Sequence, residues 1–93
     1  MIRYRVIVQG MTGSGANERG FYTPRFVEAE SEARATALAL SLVKGDQRVA
    51  SIQSEWGDPV VSFEVDDVLA LDPDDEFDSS PQGFIFYDEN DES

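Results

Sequence analysis

The stretch GMTGSGANERG, residues 10–20, comes closer than any other part of this 93-residue chain to a motif that handles phosphate. Gly10 and Gly15 have the separation of the glycines in GxxxxGK[ST]. In that pattern backbone N–H groups cradle phosphates, a Lys reaches the outer phosphates and a hydroxyl holds Mg²⁺. Here the two residues after Gly15 are Ala16 and Asn17, so both groups are missing. GxGxxG fails as well, with Glu18 where the third glycine belongs. Either pattern must open a helix whose N-terminus faces the anion, and this one opens onto FYTPRFV, a β-rich run. The segment reads as a hairpin loop.

The remaining candidates for chemistry are carboxylates. The run DPDDEFD, residues 72–78, offers oxygen ligands of the kind calcium takes, but an EF-hand loop needs Gly at position six and Glu at position twelve. Counted from Asp72, those positions hold Phe77 and Gly83. Paired acids for proton transfer are sought at Glu64, Asp66 and Asp67. On a strand Asp66 and Asp67 point to opposite faces, while Glu64 and Asp66 share the polar, wet one, where nothing desolvates a carboxyl. The chain has no Cys and no His, which removes thiolate nucleophiles, imidazole bases and the metal sites built from either. We therefore expect no enzyme, no cofactor and no metal.

Charge is distributed unevenly. Residues 1–48 carry all seven bases and five acids; residues 49–93 carry fourteen acids and no base. A half that cannot neutralise phosphate is a poor surface for nucleic acid or an anionic membrane, and an attractive one for a basic protein. Arg3, Arg5 and Arg25, interleaved with Ile7 and an aromatic of residues 21–26, are too few for a nucleic-acid platform in a chain of net charge −12. Their expected use is internal, as counter-charges for the acidic half.

These residues need elements to position them. IRYRVIVQ (2–9) and FYTPRFVEAE (21–30) read as strands by period two and β-rich composition, with Pro24 placing the second at an edge or a bulge. SEARATALALSLVKG (31–45) reads as a helix capped by Ser31 and ended by an αL Gly45. Its apolar stripe is Ala35, Leu38, Ala39 and Leu42, with Val43 at the margin and Ala33, Ala37 and Leu40 on the other side. RVASIQSEW (48–56) and VVSFEV (60–65) alternate and read as a second hairpin across Gly57-Asp58-Pro59, followed by a helical turn through Val65, Val68 and Leu69. The expected fold is α+β: a two-layer sandwich in which an antiparallel sheet of four or five strands carries one helix on one face. Residues 1–71 form the domain and 72–93 an acidic linker and tail containing a short apolar strand, 84–87.

That strand, Phe84-Ile85-Phe86-Tyr87, is read as an edge strand beside the Pro24 strand, with exchange into a second subunit or docking on a partner as the alternatives. No signal peptide or apolar run of about 20 residues occurs, so a cytoplasmic protein is expected. The function read from the sequence is a small acidic domain acting by protein–protein contact, of the inhibitor or immunity type, against a basic partner. The expected contact residues are Asp72, Asp74, Asp75, Glu76, Asp78, Phe84, Ile85, Phe86 and Tyr87. A homodimeric scaffold, or a module for an unknown ligand, is the competing reading.

Overall fold

The structure is a computed structural model and describes residues 1–12, 19–57, 60–78 and 82–88. Strands β1 (Ile2–Thr12) and β2 (Arg19–Ala29) form an antiparallel hairpin registered from Ile2↔Ala29 to Met11↔Gly20. The glycine stretch thus runs from strand to strand, as expected; its central residues 13–18 lie outside the described residues. Alternation fixes the faces. Tyr4, Val6 and Val8 of β1 and Phe21, Val27 and Ala29 of β2 are buried beneath the helices, while Arg5, Ile7, Gln9, Tyr22 and Phe26 are half-buried on the opposite face.

Helix α1 (Glu32–Lys44) begins where the Ser31 hydroxyl accepts the Arg34 N–H at 3.2 Å. It lies across β1, β2 and β3, burying Ala35, Ala39 and Val43. The buried stripe is thus rotated towards Val43. Small residues every fourth position let the helix approach the sheet closely, leaving Leu38 and Leu40 half-buried at its flanks and Leu42 half-exposed. Gly45 ends the helix in the right-handed region (φ −90°), not the αL conformation expected, because the chain goes straight into another helix.

That helix, α2 (Gln47–Trp56), stands where the sequence pattern predicts a strand. The segment supports both periods. Val49 and Ile52, three apart, are buried in the same core, whereas Ala50 and Ser54, which alternation groups with Ile52, are exposed. The ends decide. Asp46 caps the first turn, accepting the Arg48 N–H at 2.9 Å, and Gly57 closes the last at φ 72°, where glycine adopts the left-handed conformation without strain. The sandwich therefore has two helices where one was expected.

Strand β3 (Val60–Ala70) runs through the segment read as a helical turn. Its register against β1 slips between Ile7↔Asp67 and Val8↔Val65, so Asp66 is an extra residue, a β-bulge. The bulge puts Val65 and Val68 on the same face, and that three-residue spacing imitates a helix. Strand β4 (Ile85–Asp88) pairs antiparallel with Arg19–Tyr22 of β2, completing a four-stranded sheet in the order β3-β1-β2-β4. The edge reading of Phe84–Tyr87 holds. Pro24 lies in β2 just beyond the stretch that β4 covers, where a missing N–H costs no ladder bond on that side. No helix among the described residues is long and apolar enough to cross a membrane.

Candidate functional site

Arg25 is not on the open face with Arg3 and Arg5. It sits on the helix side of β2 and is 3% exposed. A buried guanidinium needs a counter-charge and filled donor positions, and the start of α2 supplies them. Arg25 Nη2 meets Asp46 Oδ2 at 2.8 Å, and Nη1 donates to the Thr23 hydroxyl and to the Pro24 carbonyl at 2.7 Å. Arg48 binds the same carboxylate from the solvent side, Nη2 to Oδ2 at 2.8 Å and Nε to Oδ1 at 3.2 Å. The hydrogen bond from Arg48 holds the Asp46 carboxyl below its ordinary range, against the opposing effect of its burial. Burial pulls Arg25 down from its usual value, with Asp46 opposing, and the bond to Asp46 raises Arg48. Two guanidiniums on one carboxylate leave this node with one positive charge in excess.

The node holds the C-terminal segment. Arg48 Nη2 donates to the Gln82 carbonyl at 2.8 Å and the Thr23 hydroxyl to the Gly83 carbonyl at 2.8 Å. Both guanidiniums lie over the Phe84 ring, Arg48 at 4.7 Å and Arg25 at 5.7 Å. Phe84 packs edge-on against the fully buried Phe21, with centroids 4.9 Å apart. Of the expected contact residues, Phe84 therefore belongs to the core. Tyr87 is half-buried on the open face: its hydroxyl accepts from Gln9 Nε2 at 2.6 Å, its ring lies 5.3 Å from that of Tyr22, and it crosses Gly20, where a Cβ would come within 2.3 Å of it. Ile85 and Phe86 are 68% and 55% exposed on the last strand of the sheet.

The acids lie elsewhere. Glu64, Asp66 and Asp67 of β3 and Asp72, Asp74, Asp75 and Glu76 after it are all exposed, as is Asp78. Asp72 and Asp75 form a turn, the Asp75 N–H reaching the Asp72 carbonyl at 2.9 Å and the Asp72 N–H reaching Asp75 Oδ2 at 2.8 Å. Beyond it Phe77 folds back on Phe26 at 5.9 Å, beneath the Arg3 guanidinium at 4.8 Å. The bulge puts Glu64 and Asp67, not Glu64 and Asp66, on a common face, and that face is wet. No group of three or more acids among the described residues could hold a metal ion.

Among the described residues, the arginines pair mostly with acids of the first half, and the expected counter-charge to the acidic half is seen at Arg5. Arg3 pairs with Glu28 at 3.2 Å and Arg25 and Arg48 with Asp46, while Arg5 reaches across to Asp67 at a loose 4.0 Å. Among the described residues no cation lies within ion-pair distance of Glu64, Asp66, Asp72, Asp74, Asp75 or Glu76. The two edges of the sheet therefore differ in chemistry, one acidic at β3 and one apolar at β4. Sequence reasoning missed the Arg25–Asp46–Arg48 node because it assigned residues 48–56 to a strand. An N-cap Asp46 followed eleven residues later by Gly57 is the signal that would have found it. The chain matches no protein-family model, no curated protein and no solved structure.

Proposed function

We propose that this is a non-catalytic cytoplasmic domain that works by protein–protein contact, presenting the acidic β3 edge and the turn after it to a basic partner. The observation that carries this reading is the run of exposed carboxylates from Glu64 to Glu76, of which, among the described residues, only Asp67 has a cation within ion-pair distance. A surface built only for solubility mixes both signs; this one concentrates a single sign on one strand and one turn. Such a patch raises the local concentration of a cationic surface and speeds encounter. The turn is pre-shaped by its two hydrogen bonds, so little ordering is needed when the partner arrives.

The reading is tested by capture from a native cell extract, eluted along a NaCl gradient, with the wild type beside Asp72→Lys/Asp74→Lys/Asp75→Lys/Glu76→Lys. The expected result is a basic protein retained by the wild type, released by salt and absent from the variant. Identical retention by both proteins would refute the reading.

A further inference from the structure

We infer that the partner covers the open face of the sheet with an amphipathic helix, apolar along its middle and basic along the side that meets β3. The inference rests on the basic-partner reading above and says what that partner presents. Both helices pack on the other face, and an antiparallel sheet with one bare face is ordinarily polar there. This one is apolar along its centre. Directly opposed residues share a face, so Tyr22, Pro24 and Phe26 of β2 stand with Ile7 of β1, flanked by Leu69 of β3 and Ile85 of β4. Leu69 and Ile85 are 45% and 68% exposed. A sheet that is apolar on both faces calls for a layer on each. The Gln9 amide inside this patch already donates to the Tyr87 hydroxyl, so covering it leaves that amide paired.

Charge names the occupant. Glu64 and Asp67 stand on the same face, level with Gln9 and Ile7, and both are exposed. At the Phe26 end, Asp75 and Glu76 border a concavity of about 210 Å³ whose other lining residues are Arg5, Phe26, Leu69 and Leu71. Apolar floor and carboxylates lie side by side there, an arrangement that suits a Lys or Arg side chain, stem on the floor and head at the acids. Arg5 is the opposing charge, and Asp67 offsets it at 4.0 Å. Acids thus line the β3 side and one end of an apolar centre. That is the complement of a helix whose basic residues run along one margin of its apolar stripe.

Other occupants fit less well. A strand pairs through backbone groups, and those of β1 and β2 lie in the plane of the sheet, not out of its face. A second copy would bring its own Glu64, Asp67, Asp75 and Glu76 against these, between chains that each carry a net −12.

The probe is a synthetic peptide of about 18 residues of Leu and Lys whose leucines form one helical stripe. It is titrated into the ¹⁵N-labelled chain beside a scramble of the same composition and a Leu/Glu version. At about 50 mM NaCl the striped peptide is expected to bind at least about tenfold more tightly than the scramble, shifting the amide signals of Ile7, Tyr22, Phe26 and Leu69. Ile7→Ser and Leu69→Ser leave the net charge unchanged; each, checked for folding by circular dichroism, should weaken the striped peptide about tenfold. Equal binding of stripe and scramble, or shifts confined to Asp72–Glu76, would overturn the inference while leaving the attraction to cations standing. So would a wild type that already dimerises through this face without peptide. A Leu/Glu peptide that binds as tightly would overturn both the inference and the basic-partner reading beneath it.

Discussion

Asp46 does three things at once: its carboxylate caps α2 and answers two guanidiniums. Asp46→Ala removes the cap and leaves Arg25 charged and buried, which costs about 3–5 kcal/mol. Arg48→Ala leaves the Arg25–Asp46 pair intact and removes a partner that is nearly half in water, which costs about 1 kcal/mol. Urea denaturation of the two variants should show that order; equal losses would mean that Arg25 finds another acceptor. The pH dependence follows from the direction of the Asp46 shift. Its folded pKa lies below the unfolded value, so its contribution is complete above about pH 4 and fades as pH falls through the lower folded value. In Asp46→Asn that segment of the acid-unfolding curve should flatten.

At the scale of elements, the short strand β4 is fixed less by its ladder than by what precedes it. Phe84 rests on Phe21, and the carbonyls of Gln82 and Gly83 are held by Arg48 and Thr23. Truncation after Asp78 should therefore cost several kcal/mol, of which burial of the Phe84 ring accounts for about 1.5–3. A truncated chain with an unchanged denaturation midpoint would show that the segment is only appended. The first hairpin, helix α1 and the edge position of Phe84–Tyr87 were legible in the sequence because each has one period or one cap signal without a rival. Residues 48–56 were not, since Ala50, Ile52, Ser54 and Trp56 alternate with polar residues while Val49 and Ile52 have helical spacing, and the caps at Asp46 and Gly57 separate the two. Val65 and Val68 misled for a different reason: a bulge at Asp66 changes face parity without leaving a mark in composition. Arg25 could not be told apart from Arg3 and Arg5 in the sequence because its acidic partner, Asp46, is 21 residues away at the start of a helix not foreseen.

For the molecule as a whole, the acids of residues 49–93 were legible as a charge imbalance, but the sequence placed no edge under them. The fold does so by making β3 an outer strand and by pairing Arg3, Arg25 and Arg48 with the acids Glu28 and Asp46 of the first half. Carboxylates crowded on one edge repel, so the melting temperature should rise between low salt and about 0.5 M NaCl; a fall would contradict that crowding. The most direct test of the central claim, that the β3 edge and the turn at Asp72–Glu76 attract a cationic surface, is the association rate of the captured partner as a function of ionic strength. The account predicts a fall of at least about tenfold between 50 and 500 mM NaCl, with most of that dependence gone in the four-lysine variant. A rate that stays constant over this range would contradict it.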